Sequence, residues 1–244
     1  SQYGNFISAL IPKYLVTSGQ TFGLQQVTVS WYDGPDFAPD GAPQRVEFPN
    51  PGSGGSWTVE RYSGSDRYAT AVAVSQNTFP SFVYRAYIVT GQNYPDALAA
   101  GPAAGIDYAP ILLVKKDSIP SVVYNELLRL RPSEIVIVGG AGVVSPTVES
   151  QLRGIAPVKR LAGTNRYETA TKVALEAFPA GSYSALLATG TGYAEALAAG
   201  PAGAWYYSPL ALTRPDRLDP ETNKLLNFMG VVEVVIVGGE GAVS

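Results

Sequence analysis

Arg61–Ala71, RYSGSDRYATA, returns as RLAGTNRYETA at Arg160–Ala170, with Arg, Gly, Arg, Tyr, Thr and Ala at identical spacing. Sliding the chain against itself extends this match without a gap over residues 61–145 and 160–244, an offset of 99 residues (160 minus 61). About 35 of the 85 paired positions are identical, which marks an internal duplication. NYPDALAAGPA at Asn93–Ala103 answers to GYAEALAAGPA at Gly192–Ala202, and IVIVGG at Ile135–Gly140 answers to VVIVGG at Val234–Gly239.

Within each copy, short apolar runs alternate with helical patterns. Tyr87–Thr90, Ile111–Val114 and Ile135–Val138 are continuous apolar runs of strand length, the pattern of strands covered on both faces. Between them the spacing predicts helices over about 66–77, 95–104, 120–130 and 146–153, three of them opening on proline. Alternating strands and helices in one period predict an α/β fold: tandem three-layer α/β modules with parallel sheets and right-handed crossovers. The Ala-Leu-Ala-Ala segments read as helices packed closely on a sheet.

The period divides the chain into residues 57–156 and residues 157–244, two modules preceded by residues 1–56. The first copy continues past Ser145 with PTVESQLRGIAPVKR, so the second lacks its last helix, and a third copy would begin near residue 259 (160 plus 99). A longer or cleaved native polypeptide is the expectation. Residues 1–56 read as a short β-rich segment: FGLQQVTVSWYDG alternates like a half-exposed strand, and Pro51–Ser56 has linker chemistry. Asp33, Asp36 and Asp40 do not have the spacing of a helix-loop-helix calcium loop and read as turn formers.

The 244 residues are 46% hydrophobic, enough for sizeable cores. A formal net charge of −3 argues against a broad basic face for nucleic acid or anionic lipid, so an anionic ligand must be gripped locally. The absence of cysteine and histidine removes disulfides, thiol nucleophiles, zinc-thiolate sites and the commonest general base. A cysteine-free, acidic chain rich in Gly, Pro, Ser and Tyr suits a bacterial extracytoplasmic protein. No apolar run is long enough for a membrane span, and the start at Ser1 reads as a mature or trimmed product. No metal or cofactor is expected.

The repeated phrase carries two readings. Asp66 or Ser65, and Asn165 or Thr164, are helix caps, and Arg67 and Arg166 are ties to a neighbouring loop. Equally, Arg61 and Arg160 at strand ends, with Arg67 and Arg166, form a repeated anion site, because the planar guanidinium fork matches phosphate and carboxylate. The glycine turns after the strands have neither nucleotide-binding spacing and read as tight turns. Asp96 and Glu195 occupy one position beside Tyr94 and Tyr193, but no second carboxylate recurs to complete an acid–base pair, and first-turn placement explains them. Enzymatic chemistry has little support.

With these residues in view, the chain resembles the type 2 cell-wall-binding repeat of Gram-positive surface proteins. The resemblance rests on the Arg-x-x-Gly-x-Asp/Asn-Arg-Tyr-x-Thr-Ala phrase, on the two ALAAGPA segments, on Pro110 and Pro209 before apolar strands, and on IVIVGGAGVVS and VVIVGGEGAVS. It covers about residues 57–244 and leaves residues 1–56 outside.

That resemblance implies a secreted or surface protein held non-covalently to the wall through an anionic secondary polymer, a teichoic-acid-like chain or polysaccharide. It implies three modules in a pseudo-threefold ring with polymer in grooves between them. Two modules do not complete such a ring, so a third repeat is expected from a longer chain or another subunit. The implied site residues are Arg61, Asp66, Arg67, Arg160, Asn165 and Arg166, then Asn93, Tyr94, Asp96, Tyr193 and Glu195. Gly192, Ala194 and Glu195 stand where the first copy has Asn93, Pro95 and Asp96, so unequal modules are expected. Two alternatives stay open: surface-layer assembly without polymer, and an address domain for a wall hydrolase or protease.

Overall fold

The computed structural model of the chain describes residues 59–92 and 98–244. The β-rich reading of residues 1–56, with Asp33, Asp36 and Asp40, and the candidates Asn93, Tyr94 and Asp96 lie outside the described residues.

The first module opens on α1 (Arg67–Thr78), β1 (Arg85–Thr90), α2 (Ala100–Ile106) and β2 (Ile111–Val114). It continues with α3 (Ser121–Leu130), β3 (Glu134–Val138), α4 (Pro146–Arg153) and β4 (Val158–Leu161). The second follows with α5 (Arg166–Ala177), β5 (Ser184–Thr189), α6 (Ala194–Trp205), β6 (Leu210–Thr213), α7 (Pro220–Phe228) and β7 (Glu233–Val237). All strand pairs are parallel, in the orders β2-β1-β3-β4 and β6-β5-β7. The α/β class with parallel sheets is therefore the observed one.

Local chemistry sets the helix ends. The Asp66 carboxylate accepts the Ala69 N–H, and the Asn165 side chain accepts from Tyr167 and Glu168, so these residues rather than Ser65 or Thr164 cap α1 and α5. Pro146 sits in the first turn of α4, as the sequence predicts. Pro120 differs: it is itself the cap of α3.

Strand β4 is the last strand of the first sheet, although the repeat period assigns it to the second copy. Its residues pair with β3, Ile137 opposite Arg160 and Val138 opposite Leu161. The equivalent segment Val59–Tyr62, expected as a strand ending at Arg61, is not one. A strand exists only with a ladder partner, and this segment pairs with no strand among the described residues.

Each sheet alternates its side chains between two layers. Ile88, Ile135 and Ile137 face a core closed by α1, α3 and α4. Tyr87, Val89, Val136 and Val138 face the other way, into a core that runs through α2 into the second module. The two modules thus share one apolar layer.

The Ala- and Gly-rich helices α2 and α6 pack on the sheets, as expected, and also on each other. A Cβ on Gly101 would lie 3.2 Å from the Cα of Gly200, and one on Gly105 would lie 2.4 Å from the Cβ of Ala204. Pro102 is buried against Gly203, while Pro201, its equivalent, is exposed. The contact is therefore heterologous: the back of the first module meets the front of the second.

Polar groups finish the junction. Arg85 donates to Asp107 (3.1 Å) and Glu134 (2.7 Å) within its module, and to Glu176 of α5 (2.9 Å) across the boundary. Lys159 adds a second bond to Glu176 (2.6 Å). Burial alone would lower the Arg85 guanidinium pKa, but the hydrogen bonds to Asp107 and Glu134 outweigh it and hold the group above its ordinary value. The Tyr87 hydroxyl, pushed up by burial and by its bond to Asp107 (2.7 Å), stays protonated as a donor.

Candidate functional site

The repeated phrase folds into the same device twice. Gly64 is pressed against Ala69, where a Cβ would lie 2.4 Å from the Ala69 Cβ, and its N–H donates to Thr70 Oγ1 (3.1 Å). Gly163 does the same with Glu168 and Thr169. Arg67 donates to the carbonyl of Gly91 (2.6 Å) at the end of β1, and Arg166 donates to that of Gly190 at the end of β5. Tyr68 and Tyr167 cover the same glycines, where a Cβ would lie 2.6 Å from the ring. The phrase thereby locks the start of a helix onto the strand-end rim of its own sheet.

The candidate residues separate accordingly. Arg160 is held within the first module, by Glu149 (Nε 3.0 Å, Nη2 2.8 Å) and by the carbonyl of Gly139 (2.7 Å). Its equivalent Arg61 is exposed. Arg67 lies exposed on the rim, with four of its five N–H donors uncommitted by the Gly91 bond, and Arg166 is half-buried. Asp66 and Asn165 are committed to capping. Glu195 sits in the first turn of α6 and lies against Gly238, where a Cβ would be 3.3 Å from its Cγ. Tyr193 is 48% exposed at the start of the same helix.

The structure adds a residue that sequence reasoning missed. Lys115 lies 5.9 Å from the centre of the Tyr68 ring, and Arg214 lies 5.1 Å from that of Tyr167. Lys115 and Arg214 are one position in the two copies, so the 99-residue offset carried the signal (214 minus 115). Each rim therefore gathers two cations around one tyrosine. They are not equal: Arg214 is paired with Asp219 (3.1 Å), and the first module has Pro120 at that position. Lys115 has no ion pair among the described residues.

Charge also tunes the start of α5. The Thr164 N–H, then Lys172 and the Thr164 hydroxyl, hold the Glu168 carboxyl down at about 2. A depressed folded value contributes stability above the ordinary 4.5 that is lost as pH falls through about 2. Glu149, lowered chiefly by its bond to Arg160, adds a contribution of the same sign. Thermal midpoints measured from pH 5 to pH 2 are expected to fall, and to fall less in Glu168→Gln; equal slopes would contradict this assignment.

Among the described residues no group of three or more His, Cys, Asp or Glu is placed to hold a metal ion, and no helix is long and apolar enough to cross a membrane. Rims of arginine, lysine and tyrosine thus recur on two tandem parallel α/β modules.

The family model described as cell wall binding domain 2 (CWB2) matches residues 61–149 and 160–244, and the chain belongs to that family. It is 35% identical over 188 residues to N-acetylmuramoyl-L-alanine amidase LytC of Bacillus subtilis, covering 77% of this chain and 37% of that protein. It is 32% identical over 190 residues to the amidase enhancer of Bacillus subtilis, covering 76% of this chain and 25% of that protein. The chain thus spans well under half the length of either relative. Among solved structures it superposes on Cwp6 from Clostridium difficile with a TM-score of 0.70 at 31% identity, covering 75% of this chain and 29% of that one. Cwp8 from Clostridium difficile gives 0.67 at 37% identity, covering 75% and 31%.

Proposed function

We propose that the chain anchors a secreted or surface protein to the Gram-positive cell wall, non-covalently and without catalysis, by binding an anionic secondary wall polymer. The observation that carries this reading is the duplicated cationic rim, Arg67 with Lys115 and Arg166 with Arg214, on a chain that is acidic overall. Local cations at repeated intervals suit a polymer with repeated charges. Each contact contributes ~1–3 kcal/mol, and linkage on one chain multiplies them into firm retention. Asp66 and Asn165 cap the helices that carry these rims, and Arg61, Arg160, Tyr193 and Glu195 are the further contact residues of this proposal.

A third repeat module, from a longer chain or another subunit, completes the assembly. Val234, Val235 and Ile236 of β7 are 42%, 43% and 53% exposed, whereas Ile135, Val136 and Ile137 of β3 are fully buried beside β4. Leu197 and Trp205 on α6 are 65% and 63% exposed, whereas Leu98 on the first module is covered. This apolar back also favours a second reading, architectural self-assembly, which sedimentation of the chain without wall distinguishes. The names of the relatives suit an address for a wall hydrolase or its enhancer as the protein carried.

The rim is tested by Arg67→Gln with Arg166→Gln, assayed by co-sedimentation with purified walls. We expect each single change to weaken retention severalfold and the pair to lower it by about tenfold or more, the size of ~1.4 kcal/mol. Full retention by a folded double variant removes these arginines from the site.

A further inference from the structure

We propose that the tyrosine pairs at the opposite, strand-start rim, Tyr84 with Tyr108 and Tyr183 with Tyr207, are stacking platforms for the sugar rings of the wall polymer. This inference rests on the anchoring function proposed above. In register, Tyr87 pairs with Ile111 and Leu186 with Leu210, so Tyr84 aligns with Tyr108, and Tyr183 with Tyr207, just before neighbouring strands. The four rings are 65%, 84%, 69% and 55% exposed. They recur at one offset, and an exposed aromatic face suits the C–H side of a pyranose ring.

Two observations separate these rings from ordinary surface tyrosines. Tyr108 and Tyr207 both hold the left-handed backbone, at φ 49° and 53°, in the turn that ends α2 and α6. Glycine or asparagine takes that conformation with less strain, so the backbone does not ask for tyrosine there. Module docking does not ask for it at Tyr108, whereas the Tyr207 ring also packs edge-on against Phe178, with ring centres 5.3 Å apart. The first module carries its junction fully formed, and Tyr84 and Tyr108 remain exposed beside it.

The first module extends its platform. Phe82 and Arg131 take positive φ of 66° and 47°, where the second module has Gly181 and Gly230 at 82° and 68°. The Arg131 guanidinium lies 5.3 Å from the Phe82 ring centre and has no ion pair among the described residues. An aromatic face beside an unneutralised cation is complementary to a sugar bearing phosphate or carboxylate. The second module, with two glycines, stacks without this charge.

The test is Tyr108→Asn with Tyr207→Asn in the whole chain, read by thermal denaturation and by co-sedimentation with purified Gram-positive walls. We expect an unchanged or higher melting midpoint for Tyr108→Asn, a lower one for Tyr207→Asn, which loses its edge contact with Phe178, and a tenfold or greater loss of wall affinity in the pair, Tyr108→Asn alone costing more affinity than Tyr207→Asn. Tyr108→Phe with Tyr207→Phe, which keeps the rings, is expected to bind like the wild type; loss in that pair would overturn stacking. Should the asparagine pair fold poorly, Tyr84→Ser with Tyr183→Ser reads the same platform outside the strained turn. Wild-type retention with undiminished retention of the variants overturns this inference alone. A wild-type chain that is not retained overturns the anchoring reading and this one with it.

Discussion

Gly203→Leu is expected to lower the melting midpoint by about 6–12 °C, to expose apolar surface to a hydrophobic dye, and to separate the two modules. A Cβ at this position would lie 2.7 Å from the carbonyl oxygen of Ser208 and 2.8 Å from the Pro102 ring, and neither backbone nor proline can rotate away. Overpacking a buried helix contact costs typically 1–3 kcal/mol and occasionally more. At about 3 kcal/mol, and about 2–4 °C per kcal/mol for a chain of this size, the stated range follows. Gly140→Ala, with nothing within 4 Å of the new Cβ, is the matched control and should change little. A Gly203→Leu protein as stable as the wild type would mean that α2 and α6 do not meet in solution.

Arg85→Met should cost about 3 kcal/mol, because it leaves Asp107, Glu134 and Glu176 facing one another with Lys159 as the remaining cation. Removing one partner of a partly buried network is costly because the charges left behind lose their compensation. Glu176→Gln added to Arg85→Met should restore part of the loss, which a double-mutant cycle on the two thermal midpoints measures. Purely additive effects would show that the bond across the junction contributes nothing. Ser184 and Tyr206 replace Arg85 and Asp107 in the second module, which therefore does not repeat this network.

What the sequence made legible was whatever depends on near neighbours. Ile135–Val138 reads as a strand covered on both faces and is one, and Ser145-Pro146 opens α4 as its chemistry requires. Val234–Val237 carries almost the same residues and reads identically, yet it lies largely exposed because no fourth strand stands beside it among the described residues. Val59–Tyr62 repeats the pattern of β4 and is not a strand. Burial of an element is set by what packs on it, which lies outside its own residues.

The candidate site was legible in the same measure. Residue type and spacing narrow each cap to two neighbours, Ser65 or Asp66 and Thr164 or Asn165, and the hydrogen bonds choose Asp66 and Asn165. The partner of Arg160, Glu149, lies on a different element, and the approach of Lys115 to Tyr68 depends on neighbouring strands ending at one level. Such contacts are products of topology. The duplication itself was the better guide, since a position that stays basic or aromatic in both copies marks a role that the fold alone leaves open.

Binding of an anionic wall polymer is the proposal on which the anchoring function stands. Its most direct test is co-sedimentation of the chain with purified Gram-positive cell walls, before and after acid removal of the phosphate-linked polymer. The account predicts retention on intact walls and its loss on stripped ones. Equal retention on both would contradict a polymer-directed anchor, and release from both would leave the exposed back of the second module, rather than its rims, as the surface that matters.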